Sequence, residues 1–292
     1  LFQYPPYCLA LASRMAEVAD QYSLDLLHVH YAIPHSVSAM LARGILAKSH
    51  PLPFVTTLHG TDITLVGSDP SFFRITKYSM EQSCAVTAVS KWLADETMRE
   101  FQLEKPVQTI YNFLDVSKIS SAPVRRCHLA QGDEKIIMHI SNFRPVKRVT
   151  DVVRAFKKVL DHVNARLVMV GDGPERLAAA GVAKQLGVAD RVKYLGTYEN
   201  IEGLLPCADL IFQPSEHESF GLVPLEAMAC KVPVLATASG GITEVVVHGE
   251  NGYLTEVGDI EAMAKYAIEI LSDPAKAAEM GRRGREHVIA HF

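Results

Sequence analysis

Apolar and polar positions along this chain alternate between a helical and an extended period. Residues 7–22 carry Leu11, Met15, Val18 and Tyr22 at three- or four-residue spacing, with Arg14, Glu17 and Asp20 elsewhere on the wheel. That is the pattern of an amphipathic helix with a mixed-charge polar face. Short apolar runs follow at 24–30, 54–58, 85–89 and 107–111, and such runs between polar turns predict buried strands. Helical patterns separate them at 34–47, at 71–82 and from the cap Ser90 to Phe101. Periodicity is lost across 115–134, a stretch holding Ser120, Ser121, Pro123, Arg125 and Arg126, where a domain boundary is expected. A second alternation then runs through strands at 136–140, 166–170, 192–195, 210–212 and 234–236. Its helices fall at 149–160, 174–186, 201–207, 221–230, 243–247, 260–272 and 274–291.

Alternating strands and helices, apolar throughout, predict parallel sheets covered on both faces. The expected fold class is therefore α/β, with two doubly wound, Rossmann-like domains at 1–118 and 119–292. They are expected to face each other across a cleft at the carboxyl ends of their strands, where ligands of such sheets bind.

Composition narrows the class. A chain of 292 residues, 48% hydrophobic, suffices for two cores. A net charge of −4 leaves no basic footprint for nucleic acid. Five scattered cysteines without CxxC spacing fit a reducing, cytoplasmic compartment. No apolar run reaches membrane-spanning length, and the mixed charge of 7–22 argues against a membrane anchor. The pattern begins and ends abruptly at Leu1 and Phe292, which reads as truncation at both ends.

The stretch 215–230, SEHESFGLVPLEAMAC, is the strongest chemical candidate. After Pro214 a polar loop leads through Gly221 into a Leu-, Ala- and Met-rich helix, whose first turn tolerates Pro224. A strand, a tight loop and a helix N-terminus offer free N–H groups, a setting that favours phosphate. Glu218 and Glu226 would repel phosphate, so they are expected to grip hydroxyls. A phosphate site beside hydroxyl-gripping acids points to a nucleotide sugar, although either Glu alone is more readily a solvated surface acid.

Arg144 and Lys147 sit three apart in the loop after 136–140. A departing diphosphate needs such cations, Arg as a fork and Lys as a point charge; the bland alternative is a basic turn capping the next helix. No Asp-x-Asp occurs, which argues weakly against a metal. Glu216-His217-Glu218 and the pair His28 and His30 each lack a third ligand at a recognisable spacing. His59, in the string TTLHGTD at 56–62, ends a strand beside Gly60, which allows close backbone approach to a ligand. Ser239-Gly240-Gly241 suits either an anion nest or a tight turn.

Together these residues resemble the family 4 retaining glycosyltransferases of GT-B fold, through Glu-x7-Glu at 218–226 and through HVHYAIPH, TTLHGTDITLVGSDPS, TAVSKWLADET, YNFLD and HISNFRPVKRVTDVVRAF. The amino-half strings narrow the likeness to members that glycosylate L-malate in bacillithiol biosynthesis. The resemblance implies UDP-N-acetylglucosamine as donor, L-malate as acceptor, retention at the anomeric carbon and no metal or other cofactor. By the same resemblance Arg144 and Lys147 hold the diphosphate, Glu226 the ribose hydroxyls and Glu218 the sugar hydroxyls. Ser219, Phe220, Gly221 and Leu222 line the donor, and His59 lies near the sugar and its leaving phosphate. Tyr31, Thr57, Lys77 and Asn112 are implied for malate. The implied mechanism is front-face, with the leaving phosphate oxygen accepting the malate hydroxyl proton. A homo-oligomer is compatible with all of this.

Three departures from the family pattern stand out: the first strand and glycine-rich loop are missing before Leu1, the final helix after Phe292, and Lys231 occupies a position usually held by Gly. Two other functions compete. UDP-N-acetylglucosamine 2-epimerases share the two-domain plan but need acids placed for proton abstraction, and a non-catalytic binder would not need Arg144, Lys147, Glu218 and Glu226 intact. An acceptor other than malate is the remaining alternative within the family.

Overall fold

A computed structural model describes residues 6–48, 52–117, 119, 129–199 and 201–292 of the chain. The chain divides into two compact units, Leu1–Tyr111 and Asn112–Phe292. Residues 118 and 120–128, where the domain boundary is expected, lie outside the described residues.

The first unit holds one parallel sheet in the order β1 (Leu27–His30), β2 (Phe54–Leu58), β3 (Ala85–Ala88), β4 (Val107–Thr109). Helices α1 (Tyr7–Tyr22) and α2 (Val37–Leu46) pack through small residues, Ala16, Ala19 and Ala42, beside Leu46 and Leu52. The short turn α3 (Thr61–Thr64) follows β2, and α4 (Pro70–Gln82) and α5 (Lys91–Phe101) complete the unit. Strand β4 stops at Thr109, short of the expected 111, and two other boundaries differ from the periodic reading for a clear reason. The strand expected from residue 24 starts at Leu27, because Ser23 turns left-handed (φ 49°) and the Leu24 N–H closes α1 on the Ala19 carbonyl at 2.9 Å. The helix expected from Pro34 opens as a π turn, Ala32–Ser36, with Ile33 extended, since proline supplies no N–H to an α ladder.

The second unit is built on a six-stranded parallel sheet in the order β10-β9-β8-β5-β6-β7. Its strands are β5 (Lys135–Ile140), β6 (Ala165–Val170), β7 (Val192–Gly196), β8 (Leu210–Gln213), β9 (Val234–Thr237) and β10 (Gly252–Thr255). The core under helices α6 (Val149–Leu160) and α11 (Ile260–Ser272) gathers Val152, Phe156, Leu167, Phe212 and Ile270, all fully buried. The other helices are α7 (Arg176–Gln185), α8 (Ile201–Leu204), α9 (Leu222–Ala229), α10 (Ile242–Val245) and α12 (Pro274–His291). Strand β10 was not legible in the apolar pattern: Gly-Tyr-Leu-Thr is too short and mixed, and only pairing with β9 makes it a strand. β5 and β8 are hydrogen-bonded neighbours although they are distant in sequence. The winding order reverses between them, and at such a switch point the carboxyl-end loops diverge and leave room for a ligand.

Candidate active site

The two loops expected to carry donor chemistry leave the carboxyl ends of these neighbouring strands. After β5 the chain passes Ser141 and makes a single 3-10 turn, Pro145–Lys147. After β8 it passes Pro214 and reaches α9 through Gly221. The Glu216 N–H donates to the Val146 carbonyl at 2.8 Å, tying one loop to the other. Lys147 Nζ donates to Glu218 Oε2 at 2.6 Å, and both side chains are mostly buried. Arg144 is exposed just before the turn and makes no ion pair among the described residues.

Backbone contacts hold the Glu218 loop in place. The Gly241 N–H donates to the Glu218 carbonyl at 2.8 Å. Gly240 sits at φ +75°, and a Cβ there would lie 2.2 Å from the same carbonyl oxygen, so only glycine fits. Thr237 Oγ1 donates to the Ser215 carbonyl and Ser239 Oγ to that of Glu216. Of the two readings of Ser239-Gly240-Gly241, these contacts select the tight turn, which buttresses the glutamate loop. The loop after β6 presses as closely on the Lys147 loop: a Cβ on Gly171 would lie 1.8 Å from the Ser141 carbonyl.

His139 is a residue that the periodic reading passed over. It is fully buried in β5, with Nδ1 2.8 Å from the Phe212 carbonyl and Nε2 2.8 Å from Ser141 Oγ. A carbonyl can only accept, so Nδ1 carries the proton and Nε2 accepts from Ser141. Ser141 Oγ in turn accepts from the Phe143 N–H at 3.2 Å. Burial lowers the imidazole pKa to about 4, and the ring stays neutral. His139 therefore clamps β5 to β8 and fixes the start of the loop that carries Arg144 and Lys147. A histidine within an apolar strand run, two residues before a serine, is the signal that could have marked it.

Glu226 lies one turn into α9. Burial, and next the charge of Glu202 on α8, raise its carboxyl to about 7. Phe220 is buried and meets Phe292 edge-on, with ring centroids 5.5 Å apart. Ser219 is half-buried and Leu222 exposed at the start of α9. The six donor-loop residues 218–222 and 226 lie in the second unit with Lys147 and Arg144, and Glu218 is the one of them that an ion pair joins to Lys147 among the described residues.

In the first unit the carboxyl ends of β1 and β2 bring Tyr31, Thr57 and His59 together. The Tyr31 and His59 rings lie 4.8 Å apart, and the Tyr31 N–H donates to the Thr57 carbonyl at 2.8 Å. Tyr31 has φ +75°, a strained conformation for a bulky residue. Asp62, 2% exposed, holds it there. One carboxylate oxygen accepts from the Ala32 N–H at 2.8 Å, the other from Gly60 at 2.8 Å and His59 at 3.2 Å. One buried acid thereby fastens the loop after β1 to the loop after β2. Lys77 stands apart: its ammonium donates to the Gln102 carbonyl beyond α5 at 3.3 Å and lies 3.7 Å from Glu81. Asn112 is half-buried and opens the second unit. No group of three His, Cys, Asp or Glu placed to hold a metal ion occurs among the described residues. Nor is any described helix long and apolar enough to cross a membrane.

Residues 122–287 match the family model of group 1 glycosyl transferases, and residues 1–118 match that of Glycosyltransferase Family 4. The chain is 50% identical over its whole length to the N-acetyl-alpha-D-glucosaminyl L-malate synthase of Bacillus anthracis, of which it covers 77%. It is 31% identical, over 92% of its own length and 73% of the relative, to an uncharacterized glycosyltransferase of Methanocaldococcus jannaschii. Among solved structures, Anabaena HepE in complex with UDP and glucose matches with a TM-score of 0.87 at 24% identity, over 97% of this chain and 77% of that one. The sucrose-phosphate synthase of Thermosynechococcus elongatus matches with 0.81 at 24%, over 96% and 73%. These structural likenesses speak for the fold, which is GT-B.

Proposed function

This chain belongs to the glycosyltransferases of group 1 and family 4, and we propose that it moves N-acetylglucosamine from UDP-N-acetylglucosamine to the hydroxyl of L-malate, a reaction of bacillithiol biosynthesis. The observation that carries the reading is the 50% identity to a malate-glycosylating enzyme across both units, so that the acceptor half as well as the donor half is matched. The anomeric configuration is retained, as the family resemblance implies.

In this reading Arg144 and Lys147 meet the diphosphate. Lys147 is held by Glu218, and an arriving phosphate offers it a second anionic partner. Their charge counts most as the leaving group develops its own, so they act on the transition state more than on binding. Glu226 accepts from the ribose hydroxyls, Glu218 from those of the sugar, and 219–222 line the donor. His59 lies by the sugar and the leaving phosphate, whose oxygen accepts the malate hydroxyl proton on the front face. These side-chain cations take the part that a metal plays elsewhere, and the reaction is expected to proceed in chelator. Tyr31, Thr57, Lys77 and Asn112 serve malate. The enzyme is expected to work in the cytoplasm, and as a homo-oligomer or a monomer alike.

The test is to supply UDP-N-acetylglucosamine with L-malate, beside a panel of other hydroxy acids and sugar phosphates, and to identify products by mass spectrometry and anomeric coupling. The expected product is α-glycosylated malate with release of UDP. Transfer to another acceptor alone removes malate from the reading, and epimerised donor without transfer would favour an isomerase.

A further inference from the structure

We infer that the histidine cluster at the carboxyl ends of β1 and β2 (His28, His30, His35 and His59) takes up a proton when a dicarboxylate acceptor binds against it. The inference rests on the proposed acceptor and adds the source of the countercharge.

The four imidazoles form one connected group. His30 Nδ1 lies 2.8 Å from His59 Nε2, and the rings of His28 and His30 are 4.7 Å apart. His35 Nδ1 donates to the His30 carbonyl at 2.5 Å. His28 Nε2 meets Thr57 Oγ1 at 2.7 Å, and Thr57 Oγ1 meets Thr87 Oγ1 at 2.7 Å. These nitrogens are engaged with one another, with hydroxyls and with a backbone carbonyl, and among the described residues no three such ligands converge where a cation would sit. His28, His30 and Tyr31 are exposed, so a solute can reach the group.

Among the described residues of the first unit, the side chains hydrogen-bonded to or stacked on the cluster carry no cation. Tyr31 stands just before the π turn, Thr57 in β2 and Thr87 in β3, and all are neutral. The Tyr7 hydroxyl of α1 lies 3.5 Å from His35 Nε2. Asp62 of α3 is anionic but spends its carboxylate on three backbone N–H groups. Lys77 directs its ammonium to the Gln102 carbonyl and Glu81. A dianion lying against Tyr31, Thr57 and His59 therefore finds a countercharge among these groups when an imidazole is protonated.

His30 and His59 resist that proton, and the ligand reverses the resistance. Loss of water and then the neighbouring rings His28 and His35 lower the His30 pKa. Loss of water lowers that of His59 most, with Asp62 opposing and His30 and His28 adding to it. A carboxylate within a few ångströms favours the charged ring. The geometry limits the uptake to about one proton. In the neutral pair one N–H already lies between His30 and His59. A proton added to an outward nitrogen leaves that bond intact, and a second, giving two cations in contact, breaks it.

The experiment is calorimetric titration of the UDP-saturated chain with L-malate, in buffers of contrasting ionisation enthalpy, from about pH 6.5 to pH 8.5. Malate's own carboxyls stay ionised throughout that range. We expect uptake of a sizeable fraction of one proton near neutrality. Affinity should weaken as pH rises, approaching tenfold per unit where uptake is complete. His30→Gln and His28→Gln should bind malate with reduced uptake. Malate binding with no net proton uptake in the unmodified chain overturns this inference and leaves the acceptor reading standing. Uptake undiminished in both histidine variants also overturns it. Absence of malate binding in every buffer removes the acceptor reading, and this inference with it.

Discussion

The ammonium of Lys147 lies 2.6 Å from the carboxylate of Glu218 across a sequence separation of 71 residues. The contact joins the loops after two neighbouring strands at the point where the winding of the sheet reverses. Both side chains are more than four-fifths buried, at 18% and 17% exposure, so solvent screens the pair less than a surface ion pair. Removing either partner leaves a largely buried charge unmatched.

Lys147→Ala should lower kcat by roughly a hundredfold or more, the usual scale for losing one group that stabilises leaving-group charge. KM for the donor should change less, since the charge peaks in the transition state. Glu218→Gln should also slow transfer but leave Lys147 free to meet phosphate. A double-mutant cycle on kcat/KM should therefore show coupling of about 0.5–3 kcal/mol between the two. Steady-state kinetics giving additive effects would separate the residues and remove the idea of a shared device.

Glu226 predicts a pH dependence of donor binding. Burial first and Glu202 second raise its carboxyl to about 7, and only the ionised form accepts hydrogen bonds from both ribose hydroxyls through two free oxygens. Because the pKa is raised, the proton is held through the acid range and released as pH rises through about 7. Affinity for UDP-N-acetylglucosamine, whose diphosphate does not titrate there, should rise through the same range and level off above it. Glu202→Gln should move the midpoint to lower pH. Glu226→Ala should weaken binding by roughly 1.5–3 kcal/mol and flatten the profile. Unchanged affinity in Glu226→Ala, measured by calorimetry, would sink the ribose assignment.

His139 predicts a pH dependence of stability. Its pKa is lowered by burial from 6.5 to about 4, so the neutral ring is the form that folds. A depressed folded value means the contribution is present above about pH 6.5 and is lost as pH falls toward 4. Between pH 7.5 and pH 5 that loss is about 2 kcal/mol. Urea unfolding at the two pH values should show His139→Gln losing less stability on acidification than the unmodified chain, although it starts lower. Equal acid sensitivity would mean that other groups dominate.

How much of this was legible in the sequence depends on where each partner lies. Helices α1, α6, α11 and α12 begin and end where their periodicity says, and in the structure Asp259 and Asp273 cap the last two. The two donor loops were legible because each follows an apolar strand run and carries its chemistry within a few residues. The pairing of Lys147 with Glu218 was not, because it needs the strand order. Asp62 and His139 were missed for a related reason. Their partners are backbone atoms of remote segments, Ala32 for one and Phe212 for the other, and no spacing rule announces such a bond. Lys231 was legible in part. It takes the left-handed conformation expected at the end of α9, with φ +62°, at a cost to a non-glycine residue on the order of 1 kcal/mol.

Lys77 is where the acceptor assignment meets a competing set of contacts, and one variant separates the two roles. As a malate ligand, Lys77 supplies charge to a carboxylate, and Lys77→Met should raise the malate KM at least about tenfold, the usual scale for a charged hydrogen bond. UDP affinity should be untouched, because the donor groups lie in the other unit. As a structural residue, Lys77 caps the carboxyl end of α5 by donating to the Gln102 carbonyl at 3.3 Å, with Glu81 at 3.7 Å. A cation at a helix C-terminus is favourable by a few tenths to 1 kcal/mol. In that role Lys77→Met should lower the Tm by a few degrees and leave malate kinetics alone. Lys77→Arg adds a control: it keeps the cation with a different hydrogen-bonding geometry, so malate KM should recover part of the way if charge is what the acceptor needs. Measured together, malate KM and Tm move independently under the two roles. A malate KM unchanged in Lys77→Met would remove Lys77 from the acceptor site and leave Tyr31, Thr57 and Asn112, with the histidine cluster, to carry it.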